Sequence, residues 1–313
     1  MNKMISPIIF IIISTILFLS SITYSPVTRD YSIKNNLWNG LSSLVEKIRD
    51  SYELIILNSS LTNLNISPGE TCILIISPTV NYTSSEIKFI KNFLSNGGTI
   101  IILDDFGGSN DILKKLNCPT SFIGKPLLDN ALYSKQPIFP TIVGIRMDGK
   151  TYSNITLLLN IPTAINVSSH RKWDINVLAT SSEYSFIDDN LNFKKDGDEK
   201  YGCYPIIVEA TRNSGRIIAI SDPSILINSM IDKYDNGKLI KMFLNKYGIK
   251  KVVLDIAHRE RSLLENIKYI FLGFETTLSI LINDLLIQYI LTIFISIIIL
   301  SISYRLLKMI VYE

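Results

Sequence analysis

Histidine, cysteine and charge are all scarce in this 313-residue chain. Each scarcity closes off a class of chemistry. There are 2 histidines and 3 cysteines. Cys72, Cys118 and Cys203 stand singly, without the Cys-x-x-Cys or Cys/His spacing of a zinc site. A Cys118–Cys203 disulfide is open to the chain in an oxidising compartment, with buried free thiols as the alternative. Charged residues make up 19% and the net charge is only +3, where soluble domains carry about a quarter charged residues. No cluster of Lys and Arg tracks phosphates, so nucleic acid is not an expected partner. No Gly-x-Gly-x-x-Gly follows the first strand, which argues against a dinucleotide. Neither Gly-x-Ser-x-Gly nor Gly-x-Cys-x-Gly occurs, so a nucleophile elbow is missing. His170 lies in a polar stretch and His258 far from any cysteine in sequence, so a Cys-His-Glu triad has no local basis. No cofactor and no metal site are implied.

What is abundant is apolar surface, 47% of the residues, and its excess sits at the two ends. From Met4 to about Tyr24 no charge interrupts the chain, and the same holds from about Leu285 to Tyr304. About twenty residues at 1.5 Å rise cross the roughly 30 Å hydrocarbon layer. Arg305 and Lys308 follow the second span and Lys3 precedes the first, so both termini are expected in the cytoplasm. A cleaved signal peptide is the rival reading of the first segment, but its basic end is thin and no Ala-x-Ala-like site follows. The expected organisation is an anchor over 1–25, an extracytoplasmic domain over 26–262, an amphipathic juxtamembrane helix over 263–284, a second span over 285–304 and a tail over 305–313. Asn58, Asn81, Asn154 and Asn166 open Asn-x-Ser/Thr triplets between the spans, as does Asn65 more weakly, and are candidate glycosylation sites.

Strand and helix signals alternate through the middle. Glu53–Leu57, Cys72–Ile76 and Thr99–Leu103 are short, continuously apolar runs. Between the last two, Ser84 is positioned to cap a helix that carries Ile87, Ile90, Phe93 and Leu94 on one face and stops at Asn96-Gly97-Gly98. Buried runs joined through a helix predict parallel strands covered on both faces. A short helix near Asn110–Leu116 precedes a Pro-containing, alternating region over 118–202, read as an antiparallel insertion or sheet edge. Pro205–Glu209 and Gly215–Ile220 read as a hairpin, 237–247 as a helix and Lys251–Asp255 as the last strand. The fold class expected is α/β: a Rossmann-like or flavodoxin-like three-layer domain with a mostly parallel sheet, flanked by two transmembrane helices.

Ligands of open parallel sheets gather at the carboxyl ends of the strands. Three polar clusters fall there: Asp104, Asp105, Gly107 and Asn110; then Asp222, Asn228 and Asn236; then Asp255 with His258 and Arg259. If their strands are neighbours, these groups converge on one crevice where carboxylates and an imidazole can bind a divalent cation or serve as acid and base. The competing structural reading is that Asp and Asn at such junctions cap helices and satisfy turn amides, and that His258 simply pairs with Asp255 or a nearby acid.

The order Tyr31-Ser32, Asn36, Gly40-Leu41-Ser42, Ser77-Pro78, Glu86, Gly97-Gly98-Thr99, Leu103-Asp104-Asp105-Phe106-Gly107, Asn110, Ser221-Asp222-Pro223-Ser224, Asn228, Asp235-Asn236 and Asp255 to His258-Arg259 resembles domain-of-unknown-function family 4350. The resemblance covers most of 31–260, with Asp-Asp-Phe-Gly its one long contiguous motif. It implies a membrane-anchored protein of archaeal or bacterial type whose domain is like class I glutamine amidotransferases and gliding-motility-type transport auxiliaries. It also implies companions, a MoxR-type AAA+ ATPase and von Willebrand-type proteins. The family's last strand usually runs into Asp-Glu-x-His; here it reads Asp255-Ile256-Ala257-His258, without the second acid. The expected function is a non-catalytic binding or assembly subunit of a membrane complex, recognising a small polar ligand, a glycan, a peptide or another ectodomain through the Asp104/Asn110/Asp222/Asn228 crevice. The alternatives are a surface hydrolase using the same carboxylates and an auxiliary subunit of an exporter.

Overall fold

A computed structural model describes residues 28–147 and 149–260. Both expected spans, the 263–284 helix and the tail lie outside the described residues. Among the described residues no helix is long and apolar enough to cross a membrane.

The centre is a seven-stranded sheet in the order β1-β13-β2-β3-β12-β11-β9. Its strands are β1 (Glu53–Leu57), β2 (Thr71–Ile76), β3 (Thr99–Leu103), β9 (Asp174–Thr180), β11 (Pro205–Arg212), β12 (Gly215–Ile220) and β13 (Lys251–Asp255). The first five in spatial order run parallel. β11 is antiparallel to β12 and β9 antiparallel to β11. β2 and β3 are buried at every residue, as strands covered on both faces must be.

Alternation of side chains divides the core in two. Leu74, Ile76, Ile101 and Leu103 point to one face, where they meet α1 (Ser42–Arg49) and α4 (Asn236–Lys246). Ile73, Ile75, Ile100 and Ile102 point to the other, against α2 (Ser84–Ser95) and α3 (Asn110–Lys115). The result is three layers, helix on sheet on helix. Truncating one of these isoleucines or leucines to alanine costs about 2–5 kcal/mol.

Helix α2 shows how local sequence fixes an element. Its N-cap is Thr83 rather than Ser84, because the Thr83 hydroxyl reaches the Glu86 N–H while the Glu86 carboxylate returns to the Thr83 N–H. That reciprocal pair satisfies two donors that the first turn leaves open. At the other end Gly97 takes φ +88, a left-handed value that a side chain would resist.

The region between α3 and β11 is the antiparallel insertion. It holds three two-stranded ribbons: β4 (Thr120–Phe122) with β8 (Ile165–Val167), β5 (Leu127–Asp129) with β10 (Ser185–Ile187), and β6 (Thr141–Met147) with β7 (Lys150–Leu158). The segment after β10 is a loop folded around its own acids. Asp188 accepts from the Asn192 and Phe193 N–H, and Glu199 from the Asp189 and Asp196 N–H. No disulfide forms between Cys118 and Cys203: all three cysteines are free. Cys118 is buried beside Thr120, its Sγ 3.2 Å from the hydroxyl, whereas Cys203 is exposed. Burial pushes the Cys118 thiol up to about 11.

Candidate functional site

β3 ends in Asp104-Asp105-Phe106-Gly107, and the two aspartates part company at once. Asp104 turns inward, where it accepts from the Gly107 N–H at 3.2 Å and the Ser109 N–H. Burial raises its pKa, and those N–H donors hold it back. Gly107 takes φ +83, and a Cβ there would stand 2.8 Å from Asn110 Nδ2. Asn110 clamps the same turn to β4, donating to the Phe122 carbonyl at 2.9 Å and accepting from its N–H at 2.8 Å. This fixed turn carries Phe106 outward and leaves Asp105 largely buried in the wall of the cleft described below. Phe106 is 84% exposed. Asp105 accepts from the Phe106 N–H at 2.9 Å. Burial, then the charge of Asp104, lift its carboxyl to about 6.

Beside it ends β12. Asp222 accepts from the Asn160 and Ser224 N–H, each at 2.7 Å, and so stitches the insertion to the sheet. Burial pushes Asp222 up to about 8 against the pull of the Asn160 N–H. The segment before α1 closes the third side. Tyr31 OH lies 3.0 Å from the Ser224 hydroxyl. The Arg259 guanidinium sits 4.9 Å from the Tyr31 ring and donates to the Ile76 and Ser77 carbonyls. Burial raises the Tyr31 pKa and lowers that of Arg259.

Together these segments enclose a cleft of about 230 Å³ at the carboxyl edge of β3 and β12. Tyr31, Trp38, Asp105, Phe106, Lys125 and Asn160 are among its lining. Trp38 is 65% exposed, so the cleft is bordered by two open aromatic rings. Ile161, Pro162 and Ile227 add apolar wall. Lys125 is paired with Asp189 at 2.8 Å. Such a mixture of apolar wall and few fixed polar groups is the usual make-up of a small-ligand pocket.

Of the ten residues that the sequence places in one crevice, only Asp105 lines this cleft. Asp104, Gly107 and Asn110 shape its turn, and Asp222, fully buried, holds the backbone of the lining residues Asn160 and Ser224. Asn228 lies behind it, accepting from the Ser43 N–H at 3.0 Å and donating to the Asn35 and Leu37 carbonyls at 2.9 and 2.7 Å. Asn236 pairs with both backbone groups of Leu158 and with the Met230 carbonyl. Asp255 and His258 form a separate buried cluster. His258 Nδ1 is 2.8 Å from Asp255 and Nε2 is 3.4 Å from Glu86, with the ring stacked on Tyr82 at 3.7 Å. Burial lowers the His258 pKa, but the Asp255 hydrogen bond and the two carboxylates win and raise it. With both ring nitrogens engaged, this imidazole has none left to act as a base on a substrate. Among the described residues no group of three His, Cys, Asp or Glu is arranged to hold a metal.

Trp38, Lys125 and Asn160 escaped the sequence reading, because two come from the insertion and Trp38 from an irregular segment. The only signal for Trp38 was a lone tryptophan in a polar stretch.

The family description "Domain of unknown function (DUF4350)" matches residues 33–244. The chain belongs to this family. No curated protein matches it. Among solved structures the DUF4350 domain is similar to one described as the mmIFT52 N-terminal domain, at 13% identity and TM-score 0.50, over 66% of this chain and 89% of that one. That likeness is one of fold. A beta-galactosidase from Bacillus circulans sp. alkalophilus (16% identity, TM-score 0.32, 64% of this chain) and a GH42 beta-galactosidase mutant from G. stearothermophilus (12% identity, TM-score 0.33, 72% of this chain) also match. The chain spans only 23% and 28% of their lengths.

Proposed function

We propose that this protein is a membrane-anchored, extracytoplasmic binding or assembly subunit that holds a ligand in the Tyr31–Asp105 cleft without turning it over. One observation carries the reading: at the sheet's carboxyl edge Asp105 stands beside open aromatic rings, while Asp104, Asp222 and His258 spend their polar atoms on the protein itself and Asp30, the other carboxylate of the lining, accepts from the Asn39 amide. A general acid and base working together require two free groups at the reacting atoms. Aromatic faces beside a few hydrogen-bonding groups suit a ligand with one apolar and one polar side, as a pyranose ring has. A neutral glycan is the ligand class favoured.

The membrane placement rests on the two uninterrupted apolar ends and the Lys/Arg placement around them. Asn58, Asn81, Asn154 and Asn166 are all exposed, as glycan acceptors must be. The three-layer sheet is compatible with a Rossmann-like or flavodoxin-like, amidotransferase-like ancestry in which the catalytic elbow has been lost. Companion ATPase or von Willebrand-type partners belong to the same reading.

The test uses the full chain in mild detergent on an array of neutral oligosaccharides. Binding is expected, and Trp38→Ala and Asp105→Asn each weaken it by about tenfold or more. Binding that ignores both substitutions, or a hydrolysed product that Asp105→Asn abolishes, refutes the proposal. Protease added to intact cells should cut within 28–260; a middle segment spared until lysis removes the extracytoplasmic part.

A further inference from the structure

We propose that His258 is a pH-operated latch: as an imidazolium it ties the segment 256–260 across the 77–83 loop and steadies the Tyr31 wall of the cleft, and on losing its proton it slackens both. The end of β13 places the ring. Asp255, the last residue of that strand, turns the chain by accepting from the Ala257 and His258 N–H through one oxygen, at 3.0 and 3.3 Å. Its other oxygen accepts from the Tyr82 hydroxyl at 2.8 Å and lies 2.8 Å from His258 Nδ1. On the far side of the ring, Nε2 is 3.4 Å from Glu86 in the first turn of α2. His258 is 6% exposed, Asp255 4% and Glu86 3%, so bulk water screens neither contact. A neutral imidazole has one N–H and one lone pair; only the imidazolium offers an N–H to both carboxylates. Deprotonation therefore turns a lone pair toward a buried carboxylate oxygen.

Three groups face the ring: Asp255 from β13, Glu86 from α2 and Tyr82 from the loop before it. Burial opposes ionisation of Glu86, but bonds from Thr83 and Ser60 hold its pKa at about 2. Burial, then the charge of Asp255, raise the Tyr82 phenol well above 10. Lys115 of α3 comes near through the Tyr82 carbonyl, to which it donates at 3.1 Å, and is paired with Asp111 at 2.7 Å. The contacts that raise the His258 pKa against burial give stability that is complete below the unfolded value, about 6.5. That stability is lost as pH rises through the folded value, so the latch is shut in acid and opens toward alkali. What it holds is specific. The His258 carbonyl accepts from the N–H of Thr79 and Val80 at 2.9 and 3.0 Å, and the Glu260 N–H donates to the Thr79 hydroxyl at 2.8 Å. Arg259, between them, donates to the Ile76, Ser77 and Asp30 carbonyls and lies 4.9 Å from the Tyr31 ring. Asp30 and Tyr31 both line the cleft. A shift of the His258 backbone therefore carries the guanidinium, and with it that wall. The latch is read from the protein's own bonds and is tested without a ligand, so it stands or falls separately from the glycan reading.

Hydrogen–deuterium exchange of the full chain in mild detergent, followed by mass spectrometry from about pH 5.5 to about pH 9 and corrected for the intrinsic rise of exchange with pH, tests the latch. Peptides covering 77–83 and 28–40 should lose about tenfold in protection as pH rises past about 6.5, while those from β2 and β3 keep theirs. In His258→Gln both peptides should exchange fast already in acid, with no further step. The proposal is overturned by flat protection of 77–83 in the parent, or by the same step in folded His258→Gln. It is equally overturned if 28–40 takes no part, which would sever the latch from the cleft, or if β2 and β3 loosen in the same step, which would mean global unfolding. Should His258→Gln fail to fold, the parent's profile decides together with the ¹⁵N NMR titration of its imidazole: a His258 midpoint at or below about 6.5 overturns the proposal.

Discussion

Replacing Asn228 by alanine separates a ligand contact from a structural tie. The Asn228 amide uses both ends. Its oxygen accepts from the Ser43 N–H at 3.0 Å, and its nitrogen donates to the carbonyls of Asn35 and Leu37 at 2.9 and 2.7 Å. The backbone of the same stretch is bonded to the 35–40 segment, Asn228 N–H to Gly40 and Ser229 N–H to Trp38. With the Ser42 hydroxyl also donating to the Asn228 oxygen at 3.3 Å, four side-chain bonds at about 0.5–1.5 kcal/mol each would total several kcal/mol. Asn228 is half-buried, so water recovers part of this, and about 2–3 kcal/mol of lost stability is expected. For a domain of this size that lowers Tm by about 4–12 °C. Asn228→Asp should do no better, because a second oxygen would then face two carbonyls. Thermal melts of the full chain in detergent, read by circular dichroism, measure the shift. Glycan binding should weaken only indirectly, through the freed Trp38 segment, and recover on cooling well below Tm. A variant as stable as the parent that has nonetheless lost its ligand would refute the structural assignment and restore Asn228 to the binding surface.

Glu86→Gln should destabilise by about 1–2 kcal/mol, because an amide keeps one acceptor oxygen but turns its NH2 toward donors of either Ser60 and Leu61 or Thr83. Burial opposes ionisation of Glu86, yet bonds from Thr83 and Ser60 prevail and hold its pKa at about 2. A depressed carboxyl stabilises fully above its unfolded pKa, about 4.3, and loses that contribution as pH falls through about 2. The gap between parent and variant in urea unfolding should therefore close over that window; a gap constant with pH would contradict it. Glycan affinity should drop as pH falls through about 6, where Asp105 takes up its proton, and in Asp105→Asn this pH dependence should vanish. Gly40→Ala would place a Cβ 1.7 Å from the Asn35 carbonyl, so a melt indistinguishable from the parent would show that the 35–40 turn is not as tight as described.

Local chemistry was readable wherever one residue type settles a conformation. Of the apolar runs, Thr99–Leu103 is a strand buried at all five residues and Lys251–Asp255 one buried at all but Lys251, while Glu53–Leu57, at the sheet's edge, buries only Leu57. The stop at Gly97 follows from its left-handed φ. The α2 start was misplaced by one residue, since Thr83 and Ser84 both suit a cap and only the return bond from Glu86 chooses. The Cys118–Cys203 pairing failed for a reason that spacing does not reveal: one thiol is sealed in the core and the other faces solvent.

By itself, then, the order of residues determined the alternating strands and helices, the parallel core and the polar character of its carboxyl edge, all of which depend on neighbours a few positions apart. Which polar groups remain open to a ligand was decided only in three dimensions. Asp104 and Asp105 are adjacent and chemically identical, yet one is consumed by the Gly107 and Ser109 amides and the other faces the cleft. That choice depends on where the Phe122, Asn160 and Tyr31 segments arrive from distant parts of the chain, and a buried acceptor takes whichever donor its surroundings bring within reach.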